Sequence, residues 1–163
     1  MNVIVREATK LDYEEICKLY EELDTYHRNS LPQYFSEYEG PSRSIEYINS
    51  LIEQEESILY VSVINSKIIG LIQVYIKETP DINILKKRKF AYIDSLYVKE
   101  EYRKKGIGKL LFNEALNWIY SNKVSEVELN VWQFNQDAIN FYKKMGFNIV
   151  SHRMINHNFN NLF

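Results

Sequence analysis

Among 163 residues the chain has a single cysteine, Cys17, and only three histidines, His27, His152 and His157. One thiol excludes an internal disulfide and any thiolate cluster for a structural metal, and the histidines show no metal-ligand spacing. A reducing cytosol is the expected setting, so the protein is expected to be cytoplasmic. Long apolar runs are also lacking. The longest, around Ile68 to Ile72, is about five residues, whereas a membrane span needs about 20. The N-terminus meets Arg6 before any apolar stretch can form, so neither a signal peptide nor a membrane span is expected. Charge of one sign is missing too: 20 Lys+Arg face 22 Asp+Glu, a formal net charge of -2. No global basic field exists to hold nucleic acid or an anionic membrane, and any anionic ligand must be held locally. With no repeat, no low-complexity tract and no Pro- or Ser-rich linker, residues 1–163 read as one domain.

What is present is bulky. Thirteen Tyr, eight Phe and two Trp within 45% hydrophobic residues exclude whole-chain disorder. Strand and helix patterns alternate along the chain. Val3 to Arg6 is β-like, and Thr9 offers an N-cap before Ile16, Leu19, Tyr20 and Leu23 at helical spacing, a helix over about Leu11 to Tyr26. After a loop of about 15 residues, long enough to suggest function, Ser42 or Ser44 caps a second helix carrying Ile45, Ile48, Leu51 and Ile52. Ile58 to Ile64 and Ile68 to Ile76 form a hairpin across Asn65-Ser66-Lys67. Ala91 to Val98 is a further strand. Ile107, Leu110, Leu111, Ala115, Trp118 and Ile119 make the stripe of a helix packed on a sheet. Val124 to Val131 returns to strand, and Ala138, Phe141, Tyr142 and Met145 mark a short helix stopped by Gly146. Phe147 to Val150 opens another strand. The sum is α+β: a mostly antiparallel sheet, helices on both faces and a central strand-helix-strand unit.

The sharpest local feature is Arg103-Lys104-Lys105-Gly106-Ile107-Gly108-Lys109, between a strand end and a helix start. Its glycines admit close backbone approach, and helix-first-turn amides lack internal acceptors, which makes an anion site. A Walker loop fails here because Arg103 and Leu110 stand where Gly and Ser or Thr are needed. The dinucleotide fingerprint fails because position 111 is Leu.

The pattern R-x-x-G-x-G after Ile93-Asp94-Ser95-Leu96-Tyr97-Val98, followed by Asn135-Gln136-Asp137-Ala138-Ile139-Asn140-Phe141-Tyr142-Lys143-Lys144-Met145-Gly146-Phe147, resembles the GNAT superfamily of N-acetyltransferases. The resemblance covers nearly the whole chain apart from Asn29 to Gly40 and Lys77 to Lys89. It implies acetyl-CoA as co-substrate, with no metal. The backbone of Leu96, Tyr97 and Val98 would pair with the pantetheine arm, and Arg103, Lys104, Lys105, Gly106, Ile107, Gly108 and Lys109 would hold the pyrophosphate. Asn135 would bond the cofactor arm, and Tyr142 would protonate the departing thiolate, a role compatible with packing of its ring.

The base is left open by this pattern. Relatives acting on peptide N-termini place Glu five residues before the motif Asn, where this chain has Asn130, which weakens a peptide-directed reading. Strand alternation places Tyr92, Asp94 and Leu96 on one face and Glu128 with Asn130 on one face of the next strand. Asp94 is the first candidate base and Glu128 the second, each otherwise an ordinary exposed strand carboxylate. Cys17 reads as inert packing, Lys86 to Lys89 as a solvated loop, His152 and His157 as surface strand residues. His27 and the aromatic segment Tyr26 to Tyr38 are candidates to line an acceptor cleft. The expected activity is acetylation of a small-molecule primary amine by direct attack in a ternary complex, with no nucleic-acid or membrane partner and room for a homodimer. Rival readings are acetylation of a protein Lys or N-terminus, a non-catalytic acyl-CoA-binding regulatory module, and RNA binding through Lys86 to Lys89.

Overall fold

The computed structural model describes residues 2–156, which divide into two compact units, one up to Asn130 and one from Val131. The first unit carries a five-stranded sheet in the order β1-β2-β3-β4-β5. Its strands are β1 (Ile4–Glu7), β2 (Ser57–Ile64), β3 (Lys67–Glu78), β4 (Lys89–Val98) and β5 (Val127–Leu129). All neighbours are antiparallel except β4 and β5, which run parallel because a helix crosses between them. That helix is α3 (Ile107–Ser121), preceded along the chain by α1 (Tyr13–Ser30) and α2 (Ile45–Glu53). α1 is longer at its C-terminal end than its apolar spacing suggests, and Lys10–Asp12 form a separate 3₁₀ turn before it. Asp12 closes that turn by accepting from Thr9 N and Thr9 Oγ1. Ser44 caps α2, its Oγ accepting from Tyr47 N at 3.1 Å.

Helices cover both faces of the sheet, as the alternating pattern requires. On one face Ile16, Leu19 and Tyr20 of α1 and Ile48 and Leu51 of α2 bury against Leu59, Val61, Leu71 and Tyr97. α3 lies against β2, β3 and β4 and buries Ile107, Leu111, Phe112, Ala115 and Ile119. Each of the buried Leu, Ile and Phe side chains contributes about 1.5–3 kcal/mol by leaving water. Cys17 is buried, its Sγ donating to Arg43 O at 3.4 Å, and it serves as packing.

The second unit contains α4 (Gln136–Lys144). Gly146 follows it at φ +92°, Phe147 N returns to Tyr142 O and Gly146 N to Lys143 O, both at 3.0 Å. This paired closure is the Schellman ending that a glycine in the left-handed region permits.

Two expectations need correction. The strand expected over Val124 to Val131 holds only at Val127–Leu129, where it pairs with Ala91 to Ile93 of β4. No strand forms at Phe147 to Val150: Ile149 and Val150 are exposed and lie in irregular backbone, as does His152. Apolar β-branched residues favour a strand only where a neighbouring strand accepts their hydrogen bonds. His157 lies outside the described residues. Among the described residues no helix is long and apolar enough to cross a membrane.

Candidate active site

β4 is ten residues long, yet β5 pairs with it only from Ala91 to Ile93. Among the described residues no strand accompanies Leu96, Tyr97 and Val98 on the β5 side. Lys99 N bonds to Ile69 O at 2.9 Å, while Val98 stands opposite Gly70. In an antiparallel ladder this arrangement turns the N–H and C=O of Val98 away from β3, and those of Leu96 likewise. The open edge therefore offers backbone donors and acceptors to an extended chain, as a missing strand would use them. Arg103 Nε already donates to Val98 O at 2.9 Å. The Tyr97 ring points the other way, its hydroxyl donating to Glu22 Oε2 at 3.0 Å. Burial, then the Glu22 carboxylate, pushes its pKa up to about 12.

Beyond β4 the chain turns at Lys104 (φ +57°) and Gly106 (φ +84°) before entering α3. Lys109 N and Leu110 N both close on Gly106 O. The amides of Ile107 and Gly108, one step earlier, come before the first intrahelical bond and carry the positive end of the helix dipole. Left-handed residues beside a helix N-terminus make a concave nest of N–H groups suited to phosphate oxygens. Of the four basic residues in this turn, Arg103 reaches Val98 O through Nε and Lys105 Nζ donates to Glu101 O at 2.7 Å.

Alternation along β4 is interrupted. Gln73 stands opposite Ser95 and Val74 opposite Ile93, so Asp94 is an extra residue, a β-bulge. Tyr97 and Ser95 therefore share the α1/α2 face with Tyr92, and Leu96 turns to the opposite face. The expectation that Tyr92, Asp94 and Leu96 share one face is corrected accordingly. Asp94 accepts from Ser95 Oγ at 3.2 Å and lies close enough to Tyr20, Tyr75 and Tyr92 for its charge to hold their hydroxyls protonated, an effect added to that of burial.

Tyr20 and Tyr75 belong, with Tyr47, to a network that sequence reasoning did not find. Tyr20 donates to Oε1 of the fully buried Gln73, whose Nε2 donates to the hydroxyls of Tyr47, at 3.1 Å, and Tyr75. The Tyr47 and Tyr75 hydroxyls are 3.0 Å apart. The available signal was Gln73, a polar residue in the apolar run of β3, which must find partners when buried. Lys77 was missed as well; its Nζ lies 3.8 Å from the Tyr92 ring centroid.

The remaining candidates separate by their partners. Glu128 Oε1 accepts from Arg88 Nη2 at 2.8 Å, and the same guanidinium holds Glu126 at 2.6 Å. Lys87 pairs with Asp81 at 3.2 Å, so Lys87 and Arg88 of the basic run 86–89 both make local ties. Asn130 Nδ2 donates to the Tyr92 hydroxyl at 2.9 Å. His27 stacks on Phe35 at 5.4 Å, within the aromatic segment expected near the acceptor. Arg43, gripping Asp24 at 2.8 and 3.2 Å, lies 4.6 Å from the Tyr20 ring centroid and ties the residue 31–44 segment down.

In the second unit Asn135 Oδ1 caps α4 by accepting from Ala138 N at 3.1 Å, which leaves its amide N–H groups for another partner. Tyr142 lies edge-on between Phe141 and Phe147, at 5.3 and 5.5 Å. The N-x-x-A spacing is thus a helix cap and F-Y-x-x-x-G-F a helix stop that fixes the Tyr142 ring. Burial alone pushes the Tyr142 phenol up, which keeps it a proton donor at neutral pH. Among the described residues no group of His, Cys, Asp and Glu is arranged to hold a metal.

An open strand edge running into such a turn suits a ligand with an extended arm and a phosphate-bearing end. Residues 16–147 match the family model of the acetyltransferase (GNAT) family. An uncharacterized N-acetyltransferase of Methanocaldococcus jannaschii is 29% identical over 143 residues, 88% of this chain and 59% of that protein. Streptothricin acetyltransferase A of Bacillus subtilis is 28% identical over 123 residues, 76% of this chain and 63% of its own. The chain thus spans less than two thirds of either relative. The crystal structure of a Bacillus halodurans protein, solved as a tetramutant, superposes with a TM-score of 0.86 at 29% identity, over 93% of this chain and 97% of that one. With the family model spanning the strand edge, the amide nest and α4 alike, this chain belongs to the GNAT family of acetyltransferases.

Proposed function

We propose that this protein transfers an acetyl group from acetyl-CoA to the primary amine of a small molecule by direct attack in a ternary complex. The observation that carries this reading is the unpaired β4 edge at Leu96 to Val98 leading into the Gly106 turn. Acetyl-CoA supplies an activated acetyl thioester. The Leu96 and Val98 backbone groups suit its amide-bearing arm, the amides of Ile107 and Gly108 suit its pyrophosphate, and the open N–H groups of β4 suit the developing oxyanion. Asp94 takes a proton from the acceptor's ammonium through water, which leaves the neutral amine that attacks. As the new C–N bond forms and the C–S bond breaks, Tyr142 gives its proton to the leaving sulfur; the second nitrogen proton is lost to water, the Tyr142 phenolate regains a proton from water, and Asn135 bonds the arm through its amide N–H. A dry environment raises the proton affinity of thiolate and phenolate together, which keeps that transfer feasible.

Asp94 is favoured over Glu128 because Arg88 already grips Glu128. The small-molecule reading draws support from Asn130, whose amide is spent on Tyr92 and offers no carboxylate, and from the 31–44 segment drawn over α1 by Arg43 and Ser42. The relative named for streptothricin also acts on a small molecule by its name. Following CoA release across a panel of small amines and of peptide substrates tests the reading. Turnover with small amines is expected; turnover with peptides alone overturns it.

A further inference from the structure

Two charges of opposite sign stand without an ionic partner on the α1/α2 face. Among the described residues, neither Lys77 nor Asp94 belongs to any ion pair, although Arg6, Arg43, Arg88 and Lys99 all do. Lys77 lies beyond Tyr75 on β3, and Tyr75 stands opposite Tyr92 on β4. Its Nζ is 3.8 Å from the Tyr92 ring centroid and 5.7 Å from that of Tyr75. A ring face holds an ammonium by its quadrupole without consuming its N–H donors, so Lys77 is positioned yet free to bond an anion. Tyr92 is itself fixed by Asn130. Asp94 follows Tyr92 at the bulge, on the same tyrosine surface.

We propose that the acceptor is an amine that also carries a carboxylate, an amino acid or a small derivative of one, with its amine directed to Asp94 and its carboxylate to Lys77. Lys77 is then a specificity-determining residue. An acceptor bearing only an ammonium meets attraction at Asp94 and repulsion at Lys77, whereas a zwitterion satisfies both. This inference rests on the small-molecule reading above and names its substrate class.

The test compares kcat/KM for a series of α- and ω-amino acids with their primary amides, in which only the carboxylate is neutralised. For at least one chain length the wild-type protein is expected to favour the acid by 10-fold or more. Lys77→Met is expected to bring that ratio to within about twofold of unity, and Lys77→Arg to preserve it. Lys77 is exposed, and thermal melting of each variant checks that it folds. Equal use of acids and amides by the wild type overturns this inference alone, as does a preference that survives Lys77→Met. Failure to acetylate any member of either series, in a protein that turns over other small amines, overturns this inference alone, whereas turnover with peptides alone overturns it together with the small-molecule reading.

Discussion

Arg103 Nε donates to Val98 O at 2.9 Å, so the first residue of the R-x-x-G-x-G turn reaches back to the last residue of β4. The contact joins the strand edge to the amide nest and sets the angle at which one continues into the other. A ligand binding both parts meets them preorganised, which spares it the cost of ordering the loop.

The nest itself is tested by Gly108→Asp, which puts a carboxylate where pyrophosphate oxygens would sit. Calorimetry on the folded variant is expected to show acetyl-CoA binding weakened by 10-fold or more, roughly 1.4 kcal/mol or above. An unchanged affinity would remove the nest from the binding site.

The same amides predict ligand selectivity. Acetyl-CoA is expected to bind more tightly than acetyl-pantetheine, which lacks the pyrophosphate, because preorganised N–H groups at a helix N-terminus make charge-assisted bonds to that anion. Equal affinities in the same titration contradict this.

Removal of the Tyr142 hydroxyl separates chemistry from packing. Tyr142→Phe keeps the ring between Phe141 and Phe147. It is expected to lower kcat by about 10- to 1,000-fold while acetyl-CoA affinity stays within about threefold. Melting temperature and single-turnover CoA release, measured on one preparation, distinguish this from a packing role, which predicts lost stability with turnover intact.

The two carboxylates should behave differently. Asp94→Asn is expected to reduce kcat by about 100-fold or more near neutral pH, in the range of general-base losses. Glu128→Gln loosens its tie to Arg88 and is expected to change kcat by less than about threefold. The reverse order in steady-state kinetics would move the base to Glu128.

Acid stability should depend on Asp12. The Arg6 guanidinium, bonded at 2.7 and 2.8 Å, draws the Asp12 carboxyl down from 3.8 to about 2, helped by Thr9 and opposed by burial. Because the folded state holds this proton less tightly than the unfolded chain, the stabilisation is complete above about pH 4 and is lost as pH falls toward 2. Urea midpoints of wild type and Asp12→Asn are expected to differ at pH 6 and to converge by pH 2. A difference that persists at pH 2 would place the effect in packing instead.

Periodicity and local chemistry determined much of this protein from sequence alone. The stripes of α1 to α4, the hairpin of β2 and β3, a serine cap on α2 at Ser42 or Ser44 and the Gly146 stop depend on residues within a turn or two of each other, so their causes are all visible along the chain. The Gly106 turn is legible for the same reason, since φ +84° is a property of that residue's own backbone. Pairing across the fold is not local, and there the tertiary structure decided. A bulge at Asp94 is defined only by its partner strand, and it alone moves Leu96 off the face of Tyr92. Glu128 reads as a free carboxylate until Arg88, forty positions away, closes on it. Lys77 reads as one more surface lysine until β3 and β4 set Tyr75 beside Tyr92 beneath its ammonium. Phe147 to Val150 has the composition of a strand, but composition supplies no neighbouring edge, and a strand exists only where another strand takes its hydrogen bonds.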